Sequence, residues 1–558
     1  MDSIKISKLK NYKAYLFLII LLVIFAIQAI TSYIGMSPTF DESTHISAGF
    51  SYVKTNDYSL NFEHPPLIKQ ISAIPLLFMP LGSPEDYIGW KEKKIAPFSH
   101  FFLYSGNDFE SIFFWSRLMI VFVGILLGIY IFIWSRELWG DRGALFSLFF
   151  FALCPNMIAN SGLVTTDLGI AAFFFIHFYY LIKFCQEPKA KHTILSGISL
   201  GLSLASKFSS IAIFPITACI FLTIFIENLF VKDKGGESVS SRVKSAFRSI
   251  LSYIPKYILI LLIGIIFLWA DYGFESKPYP FYSYLKGLKS GLEHSGRGHW
   301  AFLFGKVKEG GWWYYFPVTF LIKTPIPTIV LMILSVYFIL IKKCFKGKNY
   351  LILIPPVIYF VTSCVSKINI GYRHILPVLP FIFLFIGCLL VETQSTASLR
   401  LVRNKLIILL LSIWYILGSA TIYPYHLTYF NELIGGPKNG YKYLGDSNLD
   451  WGQGLKELKK FIDEEGIDWV YLSCFGNMDP QLYGIKYVRL PGFNNLQSPI
   501  FEFNKKNPEP GIYAISVTNL QGIYLRDRDN PFKYFCEREP TARVGNCIYV
   551  YVIRGEEK

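Results

Sequence analysis

The chain has 558 residues, of which 53% are hydrophobic and only 17% are charged, a balance that excludes an ordinary soluble protein of this length. The apolar residues occur in long runs, so the composition indicates a polytopic membrane protein. The formal net charge is +15, and in a membrane protein such an excess is typical of cytoplasmic loops rather than of nucleic-acid binding.

The apolar runs predict an α-helical protein with about eleven transmembrane helices. The first run follows Lys5, Lys8, Lys10 and Lys13, which the positive-inside rule places in the cytoplasm, and no A-x-A site follows it, so we expect an uncleaved span. Eleven spans place the C-terminus outside the cytoplasm. The predicted spans lie near residues 15–34, 112–134, 143–161, 167–184, 194–206, 208–230, 253–271, 316–341, 350–366, 375–391 and 406–423.

Two long loops, 35–110 and 272–315, are predicted on the outer side. The first opens with Asp41 and Glu42 and later contains Glu63-His64-Pro65-Pro66. Charged groups beside a bilayer are costly without partners, so this segment is interpreted as a candidate site. The alternative is a solvated loop that ends at the Pro-Pro pair.

Two candidate residues lie at the outer ends of predicted spans. Asp167 opens the span 167–184, where an acid suits the start of a helix, so capping and a functional role are equally open. Lys207 lies between two apolar runs, where it either extends towards the interface or binds a phosphate.

Four further candidates map to the same outer face. His299 lies in the second outer loop, and Lys323 lies inside an apolar span, where a lysine usually faces a cavity or a partner. Arg373 and His374 lie at the mouth of the span 375–391. An arginine in this position offers a planar fork of donors that matches phosphate oxygens.

Everything after Tyr425 has the composition of a soluble α/β domain, so the chain is divided into a membrane domain, 1–425, and an extracytoplasmic domain, 426–558. Residues 451–465 have helical periodicity, and residues 469–475, 511–517 and 547–553 have the pattern of strands.

Two further patterns in this domain are weaker. The acids and amide of Asp446-Ser447-Asn448-Leu449-Asp450 resemble a calcium loop, but Trp451 replaces the required glycine. Cys536 and Cys547 either bridge a hairpin or stay free.

Carboxylates and cations that converge at a membrane interface suit one reaction, displacement at a sugar carbon that carries a phosphate-linked lipid. A carboxylate removes the proton of the acceptor hydroxyl or amine. Lysine, arginine and histidine bind the phosphate and stabilise the charge that develops as it leaves. The candidate catalytic residues are Asp41, Glu42 and Asp167, and the candidate donor-binding residues are His64, Lys207, His299, Lys323, Arg373 and His374.

Several motifs, in this order, resemble the protein O-mannosyltransferases (glycosyltransferase family 39, GT-C membrane fold) and the related aminoarabinose transferase that acts on lipid A. The resemblance covers roughly residues 15–425. The matching motifs are Asp41-Glu42, His64-Pro65-Pro66-Leu67, Thr165-Thr166-Asp167, Phe316-Pro317 with Lys323-Thr324-Pro325, and Gly371-Tyr372-Arg373-His374.

The resemblance implies inversion at the anomeric carbon, with Asp41 as base or acceptor-orienting acid and Asp167 as a second acid. His64 stands where the lipid A enzymes carry lysine, so the donor lipid is open. The soluble tail is similar to that of bacterial members with a D-S-N-x-D-W-G-Q segment.

The sequence therefore predicts a multi-pass glycosyltransferase of the plasma or inner membrane that uses a polyprenyl-phosphate sugar donor and a protein or glycolipid acceptor. No cofactor is indicated with certainty, and a divalent metal stays open. A polyprenyl-lipid or solute transporter is the alternative. Transporters usually contain two related halves with broken helices, and no such symmetry is evident here.

Overall fold

The structure is a computed structural model that describes residues 2–230, 239–342, 344–392, 398–494, 498–525 and 530–555. Helices dominate the first three quarters of the chain, with one small hairpin between two of them. In chain order the α-helices are α1 (Asp2–Ile34), α2 (Glu42–Thr55), α3 (Leu67–Ala73), α4 (Ile95–Tyr104), α5 (Phe109–Ala152), α6 (Pro155–Ser161), α7 (Thr166–Gln186), α8 (Ala190–Ser206), α9 (Ile213–Phe230), α10 (Val239–Asp271), α11 (Tyr282–Arg297), α12 (Tyr315–Lys323), α13 (Ile326–Lys342), α14 (Ile354–Cys364), α15 (Leu379–Ile386), α16 (Leu389–Glu392) and α17 (Ser398–Ile422). The hairpin consists of β1 (Trp300–Leu303) and β2 (Lys306–Glu309).

The described residues contain six helices that are long and apolar enough to cross a membrane, and a seventh span if the bent pair α12–α13 is counted as one. These helices make the chain a multi-pass membrane protein, and the predicted number of about eleven spans stays a prediction. The bent pair turns by 111° at its break. The six are Tyr12–Ile34, Phe109–Ala152, Thr166–Gln186, Phe208–Phe230, Val239–Asp271 and Lys405–Ile422.

Four predicted spans do not correspond to any of these helices. One of them, 194–206, lies in the seventeen-residue α8, which is not among the helices long enough to cross a membrane. The segment 143–161 is divided, because α5 continues from Phe109 to Ala152 across a break at Gly140, where φ is 73°, and α6 then begins at Pro155. The segment 350–366 contains the eleven-residue α14, and the segment 375–391 contains the eight-residue α15, so each helix is too short to cross a bilayer. Prolines near the start of α6, α14 and α15 explain why these runs begin new helices.

Helix α7 lies at the centre of the membrane part, because 89% of the residues in its most apolar stretch are buried inside the protein. It packs against α5 and α8, and α8 packs in turn against α10. Glycines allow the last contact, because a Cβ atom at Gly201 would lie 2.6 Å from the carbonyl oxygen of Gly264. This packing brings the start of α7 and the end of α8 to the same depth.

The C-terminal region contains a five-stranded sheet in the order β4-β3-β5-β7-β6. Strand β3 pairs in parallel with β4 and β5, and β7 pairs antiparallel with β5 and β6. The predicted helix begins at Leu455 and buries Leu455, Leu458 and Ile462. The elements are α18 (Leu455–Glu464), β3 (Val470–Ser473), β4 (Tyr487–Arg489), β5 (Gly511–Ser516), α19 (Val517–Leu520), α20 (Lys533–Cys536), β6 (Ala542–Val544) and β7 (Ile548–Ile553).

The predicted fold class, a helical polytopic membrane protein with a small C-terminal α/β region, is confirmed. The three predicted strands correspond to β3, β5 and β7, and β4 and β6 are additional strands of three residues each. Cys536 and Cys547 are both free cysteines, the first exposed and the second buried. The boundary between the two predicted domains, at residue 425, stays a prediction.

Candidate active site

The segment that carries Asp41 is held by backbone hydrogen bonds to a loop of the C-terminal region. The amide of Phe40 donates to the carbonyl of Trp451 at 2.9 Å, and the amide of Ser37 donates to the carbonyl of Gln453 at 3.1 Å. The hydroxyl of Ser37 donates to the backbone of the same loop at 2.9 Å. These contacts fix the position of Asp41 at the start of α2.

Glu42, the neighbour of Asp41, is completely buried and points away from the cavity described below. Both of its oxygens accept hydrogen bonds from Arg117, at 2.8 and 2.7 Å, and the amides of Thr39 and Val164 donate to it as well. Burial alone would raise the pKa of Glu42, but the Arg117 guanidinium and these hydrogen bonds lower it overall. Glu42 is therefore a fixed, ionised anchor for the segment.

Four charged side chains, including that of Asp41, form an ion cluster. Arg373 donates from Nη1 to Asp41 at 2.9 Å and lies 3.4 Å from Asp167. The other oxygen of Asp167 accepts a hydrogen bond of 2.5 Å from Lys207. The Asp41 side chain is 24% exposed, whereas that of Asp167 is 1% exposed, so only the first carboxylate is accessible to a substrate.

Asp167 lies in the first turn of α7, and Lys207 directly follows α8. Thr165 makes no side-chain capping bond there. The carboxylate of Asp167 instead holds Lys207 and Arg373, two cations from different elements, at one point. The close packing of α7 on α8 thus places a buried anion behind a pair of cations.

A cavity of about 970 Å³ opens in front of this ion cluster. Its size lies at the upper end of the range for small-molecule and cofactor sites. The membrane part and the C-terminal region both line it. The predicted site residues that line it are Asp41, His64, Lys207, His299, Arg373 and His374.

Three nitrogen atoms around the cavity have no hydrogen-bond partner among the described residues. They are Nδ1 of His64, Nε of Arg373 and Nε2 of His374. Burial lowers the pKa of His64 well below its usual value, and Lys207 lowers it further, so the ring is neutral at physiological pH. Buried polar atoms normally have partners, so these three nitrogen atoms are available to water or to a polar ligand in the cavity.

His299 also lines the cavity, where it contacts a residue of α11 and a residue of the C-terminal region. Its ring centroid is 5.6 Å from that of His294 and 5.5 Å from that of Tyr524. Its Nδ1 is 3.0 Å from the carbonyl of Trp300.

Lys323 is buried but does not line the cavity. Its ammonium group donates to the carbonyl of Leu427 at 3.0 Å and to that of Asn448, and it lies 4.6 Å from the centre of the Phe430 ring. The lysine therefore joins the end of α12 to the C-terminal region. Its predicted role in binding the donor would have to be indirect.

The segment 446–453 contributes site residues that sequence reasoning missed. Trp451 lies under the guanidinium of Arg373, 4.0 Å from its ring centre, and Asp446 lines the cavity. Asn448 accepts a hydrogen bond from the amide of Tyr372, next to Arg373, at 2.9 Å. The sequence signal was the D-S-N-x-D-W-G-Q segment, which by itself indicates only a weak match to a calcium loop and a similarity to bacterial members of the family.

Two further acids at the cavity are held towards their neutral forms. Limited solvation and the neighbouring Asp41 raise the pKa of Glu63, although its side chain is exposed to the cavity. Burial raises the pKa of Asp446, which accepts a hydrogen bond from the Tyr524 hydroxyl. Both shifts reduce the negative charge that an anionic ligand would meet.

Residues 99–235 match the family described as dolichyl-phosphate-mannose-protein mannosyltransferase. The resemblance predicted from the sequence motifs is confirmed. The matched range contains Asp167 and Lys207, so it includes one anion and one cation of the ion cluster. No curated protein matches the chain.

Solved structures of membrane glycosyltransferases are also similar. ArnT from Cupriavidus metallidurans bound to undecaprenyl phosphate is 11% identical, over 97% of this chain and 99% of that chain, with a TM-score of 0.46. The oligosaccharyltransferase AglB from Archaeoglobus fulgidus, with an inhibitory peptide and dolichol-phosphate, is 14% identical over 74% and 56%, with a TM-score of 0.42. The Pmt1-Pmt2 complex of S. cerevisiae bound to the sugar donor is 18% identical over 47% and 33%, with a TM-score of 0.33. At these scores, the similarity gives no residue-level correspondence.

Among the residues that the structure describes, no group of three or more histidine, cysteine, aspartate or glutamate side chains is placed to hold a metal ion. The possible calcium loop has another role, because Asp450 accepts hydrogen bonds from the Ser516 hydroxyl and the Thr518 amide. Among the described residues, the arrangement therefore places the accessible carboxylate of Asp41 beside two fixed cations and several unpaired nitrogen atoms around a large cavity.

Proposed function

We propose that the protein is an integral membrane glycosyltransferase that moves a sugar from a polyprenyl-phosphate donor to a protein or envelope glycolipid, with inversion at the anomeric carbon. The observation that carries this proposal is the pair Lys207 and Arg373, fixed by the buried Asp167 beside the accessible Asp41. The match of residues 99–235 to mannosyltransferases that use a dolichyl-phosphate donor supports the same donor class.

The phosphate would bind where Lys207, Arg373 and His374 meet. A charge-assisted hydrogen bond to a phosphate oxygen is about twice as strong as a neutral one, and arginine can form two in parallel. The unpaired Nε of Arg373 supplies a donor that no described residue uses, and Nε2 of His374 is also unpaired and donates in the tautomer that carries its proton there. Because Asp167 holds the cations before the ligand arrives, little reorganisation is needed.

In the proposed step, the hydroxyl or amine of the acceptor attacks the anomeric carbon while Asp41 takes its proton. The bond between that carbon and the phosphate oxygen breaks, and the electron pair leaves with the polyprenyl phosphate. Lys207 and Arg373 stabilise the charge that develops on this leaving group. Glu42 and Arg117 act indirectly, because they hold the segment on which Asp41 lies.

The apolar side of the cavity suits the first part of a lipid chain. Phe208, Ile211, Leu288 and Tyr359 line it, and they come from α11, α14 and the start of the membrane helix at 208–230. A polyprenyl chain would enter from the bilayer, with its phosphate at the ion cluster. We propose that this cavity and the C-terminal domain, residues 426–558, lie on the extracytoplasmic side of the plasma or inner membrane, with a cytoplasmic N-terminus.

Mass spectrometry of cell-envelope proteins and lipids tests the proposal. Cells that lack the gene are compared with cells that carry the wild-type or the Asp41→Asn protein at equal levels. We expect a glycosylated protein or lipid that is present only with the wild type, and a polyprenyl-phosphate sugar that accumulates in the other two. Identical envelopes in all three strains would contradict the proposal. A transporter would restore the product in the Asp41→Asn strain.

A further inference from the structure

Four aromatic rings lie side by side in the wall of the cavity. The Phe475 ring is nearly parallel to those of Phe40 and Tyr524, at centroid distances of 5.5 and 5.7 Å. Phe493 lies 6.0 Å from Phe475 and 5.0 Å from Tyr524. We call this set the aromatic wall, and all four of its members line the cavity.

The members of the aromatic wall differ in how far they are accessible from the cavity. Phe493 is 42% exposed, Phe40 and Tyr524 are partly exposed, and Phe475 is buried among them. An exposed group of large apolar side chains inside a site usually marks a ligand-binding surface. Asn477 donates a hydrogen bond of 3.0 Å to the carbonyl of Phe40, and this contact holds Phe40 against the C-terminal region.

The topology of the sheet places the wall where α/β sheets bind ligands. Phe475 follows β3, Phe493 follows β4, and Tyr524 follows β5 and the short helix α19. These three strands are parallel and adjacent in the order β4-β3-β5. The connection from β3 to β4 and the connection from β4 to β5 therefore run across the sheet in opposite directions. Open α/β sheets bind ligands in the crevice outside the carboxyl ends of the strands at such a reversal of order.

The surroundings of the wall indicate the chemistry of its ligand. At one edge, the Tyr524 hydroxyl is bonded to Asp446, and the ring of His299 stands edge-on to Tyr524. At another edge, Trp451 packs in the same apolar cluster as Phe475 and carries the guanidinium of Arg373. These surroundings suit a ligand that has an apolar face and polar groups along its edge, and that binds next to the proposed phosphate site.

We propose that the aromatic wall is a saccharide-binding subsite that holds a pyranose ring. The position of this subsite next to a bound phosphate rests on the proposed function. One face of a pyranose consists of C–H groups, whose partial positive charge suits the negative face of an aromatic ring. Its hydroxyl groups project from the edge, where Asp446, Tyr524 and His299 lie. The C-terminal domain thus completes the active site.

Saturation-transfer NMR with simple methyl pyranosides tests this subsite. The full-length protein is purified in lauryldimethylamine oxide, a detergent whose headgroup is not a sugar. The panel contains methyl glycosides of mannose, glucose, galactose and N-acetylglucosamine. Phe493→Ala is compared with Trp469→Ala, since Trp469 is an exposed aromatic residue of the same domain that does not line the cavity.

We expect ring C–H signals from at least one pyranoside with the wild type, unchanged affinity in Trp469→Ala, and about three- to tenfold weaker binding in Phe493→Ala. Absence of binding by the whole panel, or equal binding by both variants, would overturn the subsite. Binding of undecaprenyl phosphate is measured in parallel as a separate test of the proposed phosphate site at Lys207 and Arg373. If Phe493→Ala lost its binding of undecaprenyl phosphate but kept its binding of pyranosides, the wall would be assigned to the polyprenyl chain, and the inference would be contradicted.

The ring can belong to the donor or to the acceptor, and donor hydrolysis without acceptor distinguishes them. If the wall holds the transferred sugar, Phe493→Ala slows hydrolysis and transfer alike. If the wall holds an acceptor sugar, hydrolysis stays normal and only the KM for the acceptor rises. Unchanged hydrolysis and unchanged transfer would overturn the subsite, whereas failure of the wild type in both reactions would contradict the proposed function.

Discussion

Asp41 and Asp167 both contact Arg373, but their environments give them different tasks. The Asp167 side chain is 1% exposed and has both oxygens engaged by cations, so it cannot reach a substrate. The Asp41 side chain is 24% exposed and lies at the cavity. A general base must be within hydrogen-bond reach of the proton that it removes, and of these two carboxylates only Asp41 is accessible from the cavity.

At the residue scale, we expect Lys207→Met to weaken use of a polyprenyl-phosphate donor. Methionine keeps the length of the side chain but removes the charge. A charged hydrogen bond contributes roughly 1.5–3 kcal/mol, so the donor KM should rise about tenfold to a hundredfold. The matched control is Lys93→Met, which breaks a half-exposed ion pair with Asp57 away from the cavity. Equal donor KM values in the two variants would show that Lys207 does not bind the phosphate.

Asp41 depends on elements that are distant in the sequence. The loop after α1 is bonded to the loop that precedes α18, and the buried Glu42–Arg117 pair fixes it from behind. Arg117 also donates to the carbonyls of Tyr33 and Met36 at the end of α1. One guanidinium therefore joins α1, α2 and α5.

At the element scale, we expect Glu42→Gln to lower stability more than it lowers the rate per folded molecule. The change leaves Arg117 buried without its counter-ion, and breaking such a pair costs about 3–5 kcal/mol. Thermal unfolding in detergent measures the loss. Asp57→Asn is the control, because the exposed pair with Lys93 contributes at most about 1 kcal/mol. A stable Glu42→Gln protein whose rate falls as far as that of Asp41→Asn would instead make Glu42 catalytic.

The loop before α18 also has a built-in pH dependence. Burial raises the pKa of Asp450 to about 6, although the hydrogen bonds from Ser516 and the amides of Thr518 and Gly452 oppose the shift. A raised pKa in the folded state means that this stability is fully present below the pKa of the unfolded chain, near 3.8, and is lost as pH rises through about 6. The shift of about two units corresponds to roughly 3 kcal/mol.

We therefore expect the unfolding temperature of the wild type to fall between pH 4 and pH 7 by more than that of Asp450→Asn. The amide cannot ionise, so the variant lacks this contribution to the pH dependence. The side-chain NH2 group of the introduced asparagine would also replace the oxygen that accepts the hydrogen bond from the Gly452 N–H. Asp450→Asn should therefore be less stable than the wild type at pH 4. Parallel curves for the two proteins over this range would show that Asp450 is not the responsible group.

At the scale of the whole molecule, the candidate active site is lined by residues from both parts of the chain. The membrane part supplies Asp41, Lys207 and Arg373, and the C-terminal region supplies Trp451, Asp446 and most of the aromatic wall. Removal of the C-terminal region would therefore expose the ion cluster and release the Asp41 loop, in addition to deleting a domain.

The membrane half of this site could be predicted from the sequence, because a charge beside an apolar span is costly and thus conspicuous. Asp41, Lys207 and Arg373 were found in this way. Asp446 and Trp451 were missed because polar and aromatic residues are ordinary in a soluble region, where only tertiary contacts reveal their partners. The sequence also could not separate the proposed roles of Asp41 and Glu42. The two carboxylates are adjacent, and only the backbone at the start of α2 determines that their side chains point in different directions.

Sidedness is a property of the whole molecule as well. Cysteines are introduced at Glu92 and Asn507, both exposed, and at the exposed Lys189 in the loop between α7 and α8, in a Cys536→Ser background. We expect an impermeant maleimide to label the first two in intact cells and Lys189→Cys only after lysis. The reverse pattern would place the cavity in the cytoplasm and exclude an extracytoplasmic acceptor.

The central claim is that Asp41 is the base in sugar transfer from a polyprenyl-phosphate donor. The most direct measurement uses purified protein in liposomes with a radiolabelled polyprenyl-phosphate sugar and an envelope extract as acceptor. We expect the wild type to form a glycosylated product and to release polyprenyl phosphate in equal amounts. Asp41→Asn should bind the donor normally but react about 10²–10⁴ times more slowly. Full transfer by Asp41→Asn, or no product from the folded wild type, would contradict the account.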